Sequence, residues 1–265
     1  MFAKPLAALA ALASLTSLTS AQSKGFNYGA TDENGACRDY ADFSNYFQIA
    51  KNLAGTSGFT SARLYTTIQC GTTNSPTSAI QAAIDTDTTL VLGLWSSAGG
   101  EVFGYELDAL ASAISMYGTA FTDRVVGISV GSEDLYRSSP QGVANEAGVG
   151  ATADVIVDYI ARVRDIIAGT SLADAPVGHV DTWTAWILGE NAPVASAVDF
   201  LGHNSFPYFE STRPNSIEDS LDLFYSALSA TEGVANGKPV WVTETGWPYS
   251  KFRPPPVTLI IRGQC

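Results

Sequence analysis

The stretch "VVGISVGSEDLYR", Val125 to Arg137, decides how this chain is read. Its first half is β-branched or small, which suits a buried strand. Side chains alternate across a strand, so Val126, Ile128 and Val130 share one face and Gly127, Ser129, Gly131 and Glu133 the other. The bulky face suits packing beneath helices. The small face looks inward and leaves room for a ligand beside the acid that ends the strand. Asp134, the rival acid, points the other way on this alternation, so Glu133 is preferred.

A second stretch, "KPVWVTETGWPYS" from Lys238 to Ser250, repeats the pattern: a β-branched and aromatic run stops at Glu244, with Gly246, Trp247 and Pro248 just beyond. Working outward, strand-like runs recur at Gly25–Ala30, Ser61–Thr67, Thr89–Trp95, Val125–Glu133, Pro176–Trp183, Val198–Phe206 and Pro239–Glu244. Between them lie segments of helical period, such as Phe43, Phe47, Ala50 and Leu53, or Ile156, Tyr159, Ile160, Val163 and Ile167. Such alternation implies a parallel sheet covered by helices. An open doubly wound sheet usually carries a glycine-rich phosphate turn after an early strand, and "GFNYGATDENGA" is not that pattern. A (β/α)8 TIM barrel places its chemistry where strands meet the following loops, and the unusual residues sit there. The expected fold class is therefore α/β, a (β/α)8 barrel. Strands four and seven of a barrel lie across its mouth, so Glu133 and Glu244 would face one cleft. Paired acids of this kind serve glycoside hydrolysis, one as proton donor and the other as nucleophile or base for water.

Composition narrows the partners. The 265 residues are 46% hydrophobic and 15% charged, which supports a sizeable core, and the net charge of −12 argues against nucleic acid or anionic membranes. The two histidines, His179 and His203, do not cluster, and there is no CxxC, HExxH, P-loop or GxGxxG, so no metal or organic cofactor is expected. Residues 1–21 have the layout of a secretory signal: Lys4, an apolar run from Leu6 to Leu15, then small residues ending at Ala21. The run falls short of the roughly 20 apolar residues of a membrane span. Secretion, to the exterior or the cell wall, is expected. The remaining domain would be residues 22–250, followed by an atypical tail at 251–265. In an oxidising compartment Cys37 and Cys70, which follow the first and second strands, would lie in adjacent loops and form a disulfide, leaving Cys265 odd.

The two acid-bearing segments, together with "GFNYG", "GFTSARLYT", "LVLGLW", "GHVDTWTAW" and "FPYF" in the same order, resemble glycoside hydrolase family 17, closest to fungal glucan endo-1,3-β-glucosidases. The resemblance spans about Gly25 to Tyr249. It implies a retaining double displacement on β-1,3-glucan, with Glu133 as acid/base and Glu244 as nucleophile. Tyr28, Arg63, Tyr65, Asp181, Trp183, Tyr208 and Trp247, near strand ends, become candidate sugar-binding residues. One departure is Ser132, where many relatives carry an Asn that bonds the sugar 2-hydroxyl. Alternatives are a glucanosyltransferase using the same site and a wall protein that binds glucan without cleaving it. The chain is expected to act as a monomer.

After Tyr249 the resemblance stops. Relatives continue into an eighth strand and helix, and no lipid-anchor signal is present in "SKFRPPPVTLIIRGQC". A parallel eighth strand needs a crossover of about a dozen residues or more. The proline-rich link to "VTLII" is shorter, so an antiparallel or disordered tail is expected. Without a normal eighth unit, the chain is expected to aggregate readily and to have little activity, as from a shifted reading frame or an unspliced intron.

Overall fold

The computed structural model describes residues 23–248 and the backbone of 259–262. The signal expected at 1–21, Cys265 and most of the tail lie outside the described residues.

All the strand-like runs form strands: β1 (Lys24–Tyr28), β2 (Ser61–Leu64), β3 (Thr89–Leu94), β4 (Val125–Ser132), β5 (Val177–Thr182), β6 (Phe200–Asn204) and β7 (Val240–Glu244). They are parallel and neighbour one another in chain order. Helices separate them: α1 (Tyr40–Lys51), α2 (Ala79–Thr86), α3 (Gly100–Tyr117), α4 (Thr119–Thr122), α5 (Asp134–Ser138), α6 (Pro140–Ala144), α7 (Ala153–Ile167), α8 (Trp183–Trp186), α9 (Ala192–Ala197) and α10 (Ser220–Val234). The first helix starts on a side-chain cap. Asp39 accepts the amides of Ala41 and Asp42 while the Asp42 carboxylate returns to the Asp39 amide, a complete capping box for α1.

The gap between β1 and β7 is filled by β8 (Leu259–Arg262), which runs antiparallel to both and closes the barrel. The eighth position is thus taken by an antiparallel strand and not by a parallel βα unit, consistent with a link too short for a crossover.

The apolar residues form two sets. The larger lies between strands and helices and includes Leu92, Ile128, Val130, Ile156, Ile160, Val163 and Leu201. The smaller, Val91, Phe200 and Trp241, fills the barrel interior. Phe200 and Trp241 stack at 3.6 Å. Glycines make room for them: a Cβ on Gly127 would lie 2.7 Å from Trp241, and one on Gly178 would lie 2.5 Å from Phe200.

Alternation along β4 is not regular. Relative to β3 it holds an extra residue at Val126, and relative to β5 another between Ser129 and Ser132. β7 likewise holds an extra residue, Thr243, opposite the step from His203 to Asn204. These bulges lie next to both acids, a common device for re-aiming side chains. Val126 consequently packs on the inner cluster and not on the outer face that simple alternation assigns it.

Candidate active site

Beyond the bulge, β4 ends at Ser132 and Glu133 adopts φ 60°, a left-handed backbone rare outside glycine. Interactions on either side hold that conformation. The Glu133 amide donates to the Val180 carbonyl at 2.8 Å. Ahead of it, the Ser132 amide donates to Asp134 Oδ2 at 2.7 Å. Behind it, the amides of Leu135 and Tyr136 donate to the Asp181 carboxylate, which caps α5. Asp181 also meets His179 Nε2 at 2.9 Å, and the other ring nitrogen lies 2.6 Å from the Val130 carbonyl. Burial opposes a charge on His179, but Asp181 and Asp134 outweigh it and raise its proton affinity above the ordinary value.

Glu133 and Glu244 line one cavity of about 540 Å³, together with Asn204, Ser205, Trp183, Phe206, Phe209 and Glu210. Their surroundings differ. Burial first, and then the charge of Glu244, push the Glu133 carboxyl up to about 7, against the hydrogen bond it takes from Asn204. Glu244 is held between cation and hydroxyl: Arg63 Nη1 lies 2.8 Å from its Oε1, and the Tyr65 hydroxyl donates to the same oxygen at 3.1 Å. Arg63, 1% exposed, extends its other arm to Ser132 Oγ at 2.9 Å and lies over the Tyr65 ring. Asn27 completes the group, its amide donating to the Tyr65 hydroxyl and the Thr243 carbonyl. No cluster of three or more His, Cys, Asp or Glu that could hold a metal exists among the described residues.

The sequence-selected residues divide accordingly. Arg63 and Tyr65 meet Glu244, and Trp183 lines the cavity with its Nε1 donating to Glu210 at 2.8 Å. Tyr208, 41% exposed, stands edge-on to the half-buried Trp247 with centroids 5.5 Å apart. Cys37 and Cys70 are joined by a disulfide with Cα atoms 5.3 Å apart.

Two residues do not face the cleft. Tyr28 points outward from β1 against Tyr46 and Phe47 of α1, where burial lifts its hydroxyl to about 12. Its neighbour Asn27 takes the inward place. Asp181, fully buried, lies on the outer side of β5 as the cap of α5, because Gly178 and Val180 occupy the inward positions. Asp134, passed over as the acid, is also fully buried and bonded to Ser97 Oγ at 2.5 Å, away from the cavity lining.

Sequence reading missed Asn204 and Glu106. The sequence signal for Asn204 is its place as the last residue of β6, which marks a position at the barrel mouth but not its partners. Glu106, in the buried face of α3, accepts from the Thr66 hydroxyl and from the Thr67 amide at 2.8 Å, so it pins the loop that follows Tyr65. Burial raises it to about 7.

Comparison with known proteins identifies the family. Residues 25–253 match the family described as BtgE/BtgC glycoside hydrolase domain. The chain belongs to this family. The glycoside hydrolase domain is 58% identical over 230 residues to "Probable glucan endo-1,3-beta-glucosidase eglC" of Aspergillus oryzae, covering 87% of this chain and 49% of that protein. It is 29% identical to the glucan 1,3-beta-glucosidase of Schizosaccharomyces pombe, covering 84% of this chain and 64% of that one. The chain thus spans about half the length of the Aspergillus oryzae relative. Among solved structures it resembles a glycoside hydrolase family 17 beta-1,3-glucanosyltransferase from Rhizomucor miehei, with a TM-score of 0.65 and 26% identity, covering 84% of this chain and 71% of that one. An active-site mutant of that enzyme is known in complex with laminaritriose. The barrel and the family 17 resemblance expected from sequence both hold.

Proposed function

We propose that the protein is a secreted, monomeric, retaining endo-β-1,3-glucanase acting on cell-wall glucan. One observation carries this reading: two carboxyl groups in one cavity, from opposite strand ends, have environments that push them to different roles. Glu133, lifted to about 7, keeps its proton in mildly acidic medium and serves as the general acid. Glu244, held by Arg63 and Tyr65 through Oε1, attacks the anomeric carbon. The Glu133 proton passes to the departing glycosidic oxygen as that bond breaks, and a glycosyl ester forms on Glu244. Glu133, now a carboxylate, takes a proton from water, whose oxygen displaces the ester and restores both groups. Trp183 and Phe209 supply apolar walls for sugar rings, with Tyr208 and Trp247 as an aromatic pair beside them.

The test is kinetic. Glu244→Gln should lose nearly all turnover on laminarin while still binding it. Glu133→Gln should fail on laminarin but retain activity on substrates with good leaving groups, and external azide should restore further turnover. Near wild-type hydrolysis by either variant sinks the assignment.

A second reading, transfer to a sugar hydroxyl in place of water, is favoured by the likeness to the Rhizomucor miehei glucanosyltransferase. Oligomers longer than a laminari-oligosaccharide substrate would establish it. Binding without any release of reducing ends would instead mark a non-catalytic glucan-binding protein.

A further inference from the structure

Asn204, the last residue of β6, is buried between the two acid-bearing strands. In the ladder it lies opposite Glu244, at the step where β7 carries its extra residue. Both ends of its amide are committed. Nδ2 donates to Glu133 Oε1 at 3.0 Å, and Oδ1 accepts from the Thr243 hydroxyl at 2.8 Å. Thr243 is itself fully buried, so its hydroxyl fixes which way the amide points.

A carboxylic acid has one proton and two oxygens to hold it. Were the proton on Oε1, that oxygen would be a hydroxyl, a much poorer acceptor, and the Nδ2–H bond would lose most of its strength. The opposite oxygen, Oε2, takes no hydrogen bond among the described residues. We propose that Asn204 is a proton-positioning residue, reserving Oε1 of Glu133 as an acceptor and so confining the transferable proton to Oε2. This inference rests on Glu133 being the acid proposed above.

The consequence for the reaction is directional. When the Oε2–H bond breaks, the proton joins the leaving glycosidic oxygen. That oxygen's bond to the anomeric carbon breaks as the Glu244 carboxylate bonds to the carbon. The negative charge left on Glu133 spreads to Oε1, where the Nδ2–H bond becomes charge-assisted and stronger. Asn204 therefore favours the product form of the acid and opposes the upward push of burial and of Glu244. The other charged groups facing Glu133 are Asp181 from β5, the strand between β4 and β6, and Arg137 from α5. Thr243 shares no hydrogen bond with Glu133 among the described residues and acts by holding the amide.

The test compares Asn204→Ala, Thr243→Val and the double variant, with full pH profiles on laminarin and on a dinitrophenyl β-laminaribioside. Asn204→Ala should move the upper pH limit of kcat/KM upward and lower kcat on laminarin about 10–100-fold, within the range of general acid catalysis. KM should stay within about threefold of wild type, and the aryl substrate, which needs little protonation, should be nearly unaffected. Thr243→Val should shift both properties in the same direction but less, and adding it to Asn204→Ala should change nothing further. If Asn204→Ala slows both substrates equally with its upper limit unmoved, the inference is overturned. Should Asn204→Ala not fold, Thr243→Val with a wild-type limit and wild-type preference between the substrates overturns it alone. Glu133→Gln separates the two layers. Full activity there on laminarin overturns the acid assignment, whereas an inactive Glu133→Gln with an unmoved limit in Asn204→Ala overturns only the role of Asn204.

Discussion

Replacing Arg63 by Met tests the electrostatic frame of the site. The substitution keeps most of the apolar stem but removes a guanidinium that touches Glu244 at 2.8 Å and Ser132 Oγ at 2.9 Å. The arginine side chain is 1% exposed and that of Glu244 12%, so water cannot replace the lost cation. Removing one partner of such a buried pair costs about 3–5 kcal/mol, because the survivor is left charged and unpaired. For a domain of this size each kcal/mol lowers Tm by about 2–4 °C, which gives a drop of about 6–20 °C. Circular dichroism melts at pH 7 would read it. Because an uncharged side chain at 244 needs no cation, the deficit should shrink in a Glu244→Gln background, to about 1 kcal/mol or less. A loss below about 1 kcal/mol at pH 7, or the same loss with Gln at 244, would refute the pairing as the source of the effect.

Stability should also fall as pH rises from about 4.5 through 7. Glu106 and Glu133 are both raised to about 7, so between those values the folded protein holds protons that the unfolded chain has released. The effect is on the order of 3 kcal/mol per group, and Glu106→Gln should remove its share from the difference between urea unfolding at pH 5 and pH 8. Converting Cys37 and Cys70 to Ser should cost about 4 kcal/mol, as expected for a crosslink spanning 33 residues, in the same unfolding assay. Gly131→Ala should lower both soluble yield and activity, since its Cβ would lie 2.2 Å from Asp134 Oδ2 at a φ of 80° and the carboxylate is pinned by Ser97 and Ser132. Tyr28→Phe, by contrast, should leave kcat and KM on laminarin within about twofold of wild type, because the ring faces α1.

The strand ends were legible because β-branched runs that stop at an acid or an aromatic are unusual, and a barrel gathers such ends at one face. The side from which each residue enters the cleft was less legible. Alternation places Gly131 inward in step with Glu133, but the extra residue between Ser129 and Ser132 turns Ser132 toward Arg63, and Glu133 reaches the cavity through its left-handed backbone. Parity also misleads at Tyr28 and Asp181, because a strand with polar or aromatic residues on both faces does not announce its inner one. For β5 the clue was glycine: Gly178 lies where the Phe200 ring needs space, which puts His179 and Asp181 outside. Asn204 and Glu106 act through partners far away in sequence, and no local pattern encodes such contacts. For the tail the sequence excluded only a parallel strand, since the link cannot hold a crossover; between an antiparallel and a disordered tail it did not choose, and β8 is the antiparallel one.

The stacked rings of Phe200 and Trp241 fill the barrel interior, which makes it a cup more than a tube. A sugar chain that reaches the two acids, or leaves them, uses the mouth. In the proposed double displacement, the oligosaccharide released in the first half occupies the route by which water must arrive for the second. Water and a fresh sugar chain therefore queue for one doorway, and whichever enters first after the leaving chain has cleared decides whether the glycosyl ester ends in hydrolysis or in transfer.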